Sequence, residues 1–139
     1  MTNFAQPAPF AELRQVFASR VANIPPFADQ LMRFFKALLN HLRRDEKGDR
    51  EVEIALREAL VNAVIHGNRE DPKKRVYVDS RCSMDGEISI TVIDEGEGFE
   101  SSEACRRGIR LMQMLMDDVH FEEWSTVIHM RKRLRTHAA

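Results

Sequence analysis

The chain has little with which to cross a membrane, bind zinc or coat a nucleic acid. None of its apolar runs approaches the roughly 20 residues that a bilayer requires. Its two cysteines, Cys82 and Cys105, stand far apart, and no Cys/His cluster has zinc-ligand spacing, so the thiols fit a reducing compartment. Charged residues make up 31% of the chain, yet the net charge is only −1, which excludes the global basic field that drives non-specific nucleic-acid binding. Met1 to Pro9 has neither the basic start nor the continuous apolar stretch of a signal peptide. No internal repeat or low-complexity segment is present. These absences lead us to expect a soluble, cytoplasmic protein.

A length of 139 residues suits one well-cored domain and is short for two. We expect that domain over residues 10–135, with short tails at 1–9 and 136–139. Phe17 to Ile24 alternates loosely and reads as a first strand, stopped by Pro25-Pro26. Phe27, Leu31, Phe34, Phe35, Leu38, Leu39 and Leu42 then recur at helical spacing, and Arg44 to Arg50 reads as a charged loop around Gly48. A second helix is expected from about Glu51 to His66, with Gly67-Asn68 as its left-handed stop. Val76 to Arg81 and Ile88 to Ile93 read as a hairpin turning at Met84 to Gly86, followed by a helix from Gly108 to Met116. Val119 to Phe121 and Thr126 to Met130 close the domain as strands around Trp124-Ser125. The order β-α-α-β-β-α-β-β predicts an α+β two-layer sandwich, a mixed and mostly antiparallel sheet with helices on one face.

Two short motifs carry the chemistry. Glu58 and Asn62 stand at i, i+4, so both project from one helix face, about one turn apart, and can converge on one ion or phosphate. The helix around them is apolar on more than one side, and a carboxylate and an amide between buried faces must find partners or face a ligand. Oxygen donors so placed suit Mg²⁺, which keeps several waters and adds phosphate oxygens. Asp94 follows a strand, and Gly96 and Gly98 let the backbone turn sharply and approach a ligand closely. Gly108 is expected at a helix start, where free amides can receive phosphate.

Taken together, these residues resemble the GHKL ATPase superfamily, and specifically the bacterial anti-sigma factor serine/threonine-protein kinases. Glu58-Ala-Leu-Val-Asn62-Ala-Val-Ile-His66-Gly67 is similar to the family's Glu-Ala-x-x-Asn-Ala-x-x-His-Gly pattern. Asp94-Glu-Gly96-Glu-Gly98-Phe99 is similar to its Asp-x-Gly-x-Gly-Phe box, and the likeness runs from about Phe17 to Arg133. Sensor histidine kinases of the superfamily usually have Lys three residues after the Asn, where this chain has Ile65, so the anti-sigma branch fits better.

The resemblance implies the Bergerat (GHKL) ATP-binding fold, with ATP and Mg²⁺ as cofactors. It implies that Asn62 holds Mg²⁺, that Glu58 is the base for the attacking hydroxyl, and that Asp94 accepts the adenine amino group. His66, Gly96, Gly98, Arg107 and Gly108 complete the expected nucleotide pocket and its lid. The implied partners are a STAS-domain anti-sigma factor antagonist, which is phosphorylated, and a sigma factor or analogous target; a homodimer is also expected, with no direct nucleic-acid or membrane contact. Two departures are visible: only Glu100 to Arg107 separates the boxes, and Arg106 occupies a position where relatives carry a lid glycine. They predict a strained lid that closes loosely, and they keep open an alternative, a binding module of the same fold that sequesters a partner with weak or no nucleotide turnover.

Overall fold

The computed structural model describes residues 9–98, 102–122 and 126–137. Phe99 of the second box, Glu100 and Ser101 of the lid, Trp124-Ser125 and most of the opening segment lie outside the described residues. Strands β1 (Phe10–Ala18), β2 (Arg75–Ser83), β3 (Glu87–Ile93), β4 (Asp118–Glu122) and β5 (Val127–Arg133) form one sheet in the order β1-β2-β3-β5-β4. Every neighbouring pair is antiparallel. Helices α1 (Ile24–Leu38), α2 (Glu46–Val61) and α3 (Glu103–Leu115) form the second layer, with α2 packed between the other two. The two-layer sandwich predicted from the order of elements is therefore the observed fold.

The sheet buries one face. Val76, Val78, Ser80 and Cys82 of β2 and Ile88, Ile90 and Val92 of β3 alternate with more exposed neighbours, as a strand with one solvated side requires. Against them pack Leu31 and Phe35 of α1, Leu56 and Leu60 of α2, and Met112 of α3, all essentially fully buried. Met116 is also buried, whereas Met114 is 80% exposed. The β2–β3 hairpin turns where expected, with Gly86 at φ 102° and its N–H donated to Ser83 O.

Three local expectations are corrected. The first strand is Phe10–Ala18 rather than Phe17 to Ile24. Pro25 and Pro26 fall in the first turn of α1, where a fixed φ suits helix entry, and draw Ile24 into the helix. The upstream segment instead pairs with β2 along its whole length, and Phe17 meets Phe27 with ring centroids 4.8 Å apart.

The expected charged loop at Arg44 to Arg50 is mostly helix. Glu46 and Asp49 favour the positive end of α2, and the Arg44 guanidinium forks onto Asp49 at 3.0 and 3.1 Å. Gly48 costs helix propensity, about 1 kcal/mol against Ala, but a Cβ there would lie 2.9 Å from Leu134 Cδ2. Close packing against Leu134, just past the end of β5, decides the residue.

The third correction concerns the end of the second helix. Instead of a left-handed stop at Gly67-Asn68, α2 widens into one π-helical turn over Asn62–Gly67, and Asn68 keeps right-handed φ/ψ of −85° and −6°. The left-handed residues come later, at Arg69 (φ 53°) and Glu70 (φ 57°). The wide turn is closed by Asn68 N–H donating to Ala63 O at 2.8 Å.

Candidate functional site

Glu58 lies near the end of α2 and Asn62 opens the π-helical turn, so their i, i+4 spacing survives on one continuous helical face. Asn62 is 7% exposed and Glu58 is half-buried. Both face α3 at Gly108. A Cβ on Gly108 would stand 2.9 Å from Glu58 Oε2 and 3.4 Å from Asn62 Oδ1. Gly108 therefore serves close approach: with hydrogen as its side chain, α3 can lie directly against the carboxylate and the amide.

That role differs from the one read in the sequence. Gly108 is the sixth residue of α3, not its start, so its amide belongs to the helix ladder and is not free. The start of α3 is capped by Ser102, whose hydroxyl accepts the Cys105 N–H at 3.1 Å. Ser102→Ala is expected to cost about 1 kcal/mol, read as a lowered urea midpoint with an unchanged slope.

Arg106 is likewise not a strained lid residue. It donates its N–H to Ser102 O in the first turns of α3, and its guanidinium pairs with Glu103 at 3.1 Å. A helical φ costs Arg nothing, which removes the basis for the predicted strain. Arg107 is exposed on the same helix beside Gly108. On β5, Arg131 pairs with Asp118, Lys132 with Glu51, and Arg133 with Glu87.

The second motif meets the first through the π turn. Its last residue, Gly67, lies against Asp94: a Cβ on Gly67 would fall 2.3 Å from Asp94 Oδ2. Gly96 approaches the same backbone, since its Cβ would fall 2.1 Å from Gly67 O. Gly96 N–H donates to Asp94 Oδ1 at 2.8 Å, and Gly98 takes φ 117°. His66, half-buried, occupies the place before Gly67.

Asp94 is 8% exposed. Burial pushes its carboxyl up to about 6, against the smaller opposing effects of the Gly96 N–H and the Lys74 charge. A carboxylate desolvated in this way is a poor stabiliser of the fold and a strong acceptor for a ligand N–H. Sequence reasoning missed two participants, Ser102 and the fully buried Asn68, because their roles lie in hydrogen bonds that no helix or strand period encodes.

Among the described residues, no group of three or more His, Cys, Asp or Glu side chains is placed to hold a metal ion. No described helix is long and apolar enough to cross a membrane.

The sequence pattern of the histidine kinase-like ATPase domain matches residues 17–132. The anti-sigma F factor of Heyndrickxia coagulans is 36% identical over 94 residues, covering 55% of this chain but only 64% of that protein's length. The anti-sigma F factor of Clostridium perfringens is 32% identical over 103 residues, covering 62% of this chain and 73% of that protein. Among solved structures, the RsbU and RsbW domains of a Mycobacterium tuberculosis protein superpose with a TM-score of 0.65 over 93% of this chain and 34% of that one. At 20% identity, that superposition speaks for the fold alone. The motifs, their meeting at the π turn and these matches together establish that the chain belongs to the histidine kinase-like ATPase domain family, as a relative of the anti-sigma F factors.

Proposed function

We propose that this protein is an ATP-binding anti-sigma factor that transfers the γ-phosphate to a Ser or Thr on a STAS-domain antagonist. In its other state it holds a sigma factor or analogous target. One observation carries the reading: the Glu58–Asn62–Gly108 contact and the Asp94–Gly67–Gly96 contact sit at opposite ends of a single six-residue π turn. A base-accepting carboxylate at one end and an ion- and hydroxyl-handling pair at the other match the polarity of a nucleoside triphosphate.

Each residue then has a task. Asp94 accepts the adenine amino group beside Gly67 and Gly96, whose missing side chains leave the carboxylate room, and Gly98 and His66 belong to the same site. Asn62 offers its amide oxygen to Mg²⁺, an ion that takes few protein ligands and keeps water and phosphate oxygens. When bound, the ion offsets phosphate charge. Glu58 receives the proton of the attacking hydroxyl, Gly108 holds α3 against both side chains, and Arg107 extends positive charge toward the phosphates. Such transfer depends chiefly on positioning and electrostatics.

Titration with ATP and ADP, with and without Mg²⁺, followed by transfer of labelled γ-phosphate to a STAS-domain protein from the same genome, tests the reading. Saturable Mg²⁺-dependent binding and a phosphorylated antagonist support it. Binding without transfer identifies the sequestering module instead, and no nucleotide binding rejects the kinase reading of the site. Asn62→Ala is expected to weaken Mg²⁺–ATP binding by about 10-fold or more while leaving metal-free binding almost unchanged, since one charge-assisted contact is worth roughly 1.5 to 3 kcal/mol. Calorimetry with and without chelator reads the difference.

A further inference from the structure

Asn68 is fully buried and uses every polar group it has. Its N–H donates to Ala63 O at 2.8 Å and its carbonyl accepts from Asp71 N–H at 3.0 Å. Its side-chain Nδ2 donates to Arg75 O at 3.0 Å, and its Oδ1 accepts from Glu95 N–H at 2.8 Å. Glu95 in turn accepts the Arg75 N–H through Oε1 at 2.5 Å, closing a ring of three residues from the end cap of the π turn, β2 and the Asp94 loop.

This ring sits directly behind Asp94. The Asp94 N–H is held by Thr126 O at 2.9 Å, and the next N–H along the chain, that of Glu95, is the one Asn68 holds. With both flanking amides held, the backbone at Asp94 is fixed, and from it the side chain lies across Gly67. Only an amide serves here, because the ring asks for one donor and one acceptor from the same planar group. The two left-handed residues that follow, Arg69 and Glu70, fit the same picture: strain of this kind persists where surrounding contacts over-determine the backbone.

We propose that Asn68 is a positioning residue for the nucleotide site, fixing the Asp94 loop so that the carboxylate faces Gly67 and the base of the bound nucleotide. The proposal rests on the nucleotide reading above and adds to it a residue that touches no ligand. Asn68→Leu removes both side-chain hydrogen bonds at similar volume and brings no new charge near Asp94. Glu95→Ala, at an exposed position, opens the other limb of the same ring and leaves the core intact.

The experiment compares ATP, purine riboside triphosphate, which lacks the 6-amino group, and Mg²⁺-tripolyphosphate, by calorimetry on the full chain. In the wild type, ATP is expected to bind more tightly than the purine analogue. In Asn68→Leu that preference should fall by about 10-fold or more, the worth of a hydrogen bond to a charged group, while tripolyphosphate binding stays unchanged. Glu95→Ala should lose preference in the same direction to a smaller extent, and it supplies the answer should Asn68→Leu not fold. Carbon-13 NMR of the Asp94 carboxyl gives a ligand-free readout. Its titration, at about 6 in the wild type, should move toward the ordinary 3.8 when the loop is released to water.

A wild type with no preference for ATP overturns the Asp94 reading and this proposal together. A wild type that prefers ATP, beside variants that keep both the preference and the Asp94 titration, overturns the role of Asn68 alone.

Discussion

Glu58→Gln is expected to slow phosphoryl transfer by about 100- to 10,000-fold, the usual worth of a positioned general base, while Mg²⁺–nucleotide affinity stays within about twofold. The amide keeps the length and width of the carboxylate, so the contact with Gly108 on α3 is preserved and no cavity opens. What disappears is the capacity to take a proton. Single-turnover transfer to the antagonist, paired with calorimetric affinities, separates the two effects. A variant that transfers at the wild-type rate removes Glu58 from the chemistry, and one that loses affinity and rate together makes it a nucleotide-holding group instead.

Asp94→Asn should raise the thermal midpoint of the ligand-free protein while abolishing its further rise on adding ATP. At pH 7 the buried carboxylate is ionised at a cost: a carboxyl moved from 3.8 to about 6 destabilises the folded state by about 3 kcal/mol. Asparagine keeps an oxygen for the Gly96 N–H and carries no charge. Its own N–H groups need partners in the same confined space, so the net gain is smaller, about 1 to 2 kcal/mol or roughly 5 °C.

The sign of the pH dependence is specific. Because the folded-state pKa is raised, the penalty is full above about 6, fades as the pH falls from about 6 toward 3.8, and is absent below that range. Acidification should therefore close and then reverse the gap in midpoint between variant and wild type, since the cost of the unpartnered Asn N–H groups remains, and over the same interval weaken ATP binding by the wild type. Scanning calorimetry from pH 7.5 to 4 reads both trends. An Asn variant less stable than wild type at pH 7, with a gap indifferent to pH, would falsify the view that Asp94 is held buried for a ligand at the expense of the fold.

The contacts behind these predictions differ in how far they were legible from the residues. Glu58 and Asn62 could be placed together at once, because a spacing of four on a helix is a geometric statement that no later packing alters. Asp94 with its two glycines could be placed at a strand end for a similar reason, since each is a local conformational demand. The hairpin at Gly86 and the one-faced burial of β2 and β3 followed from alternation and turn chemistry in the same way.

Elsewhere, local signals were outvoted by distant ones. Arg44 to Arg50 looks like a loop until Asp49 is seen to neutralise Arg44 and Gly48 to make room for Leu134. Phe17 to Ile24 alternates as a strand would, but two prolines favour helix entry and β2 offers pairing to the residues upstream. Gly67-Asn68 has the composition of a helix stop, yet the glycine is there to clear Asp94 and the asparagine to hold Glu95.

By itself, then, the sequence determined the class of fold, the family and the principal polar residues, because these rest on periodicity, order and spacing along one element. Only the tertiary structure decided where the first strand lies, that α2 ends in a π turn, why Gly108 and Gly67 are glycines, and that Asn68 stands behind Asp94. Each of those depends on close approach between segments far apart in the chain. Steric exclusion and hydrogen-bond satisfaction act there over a few ångströms in space, and no pattern along the sequence records them.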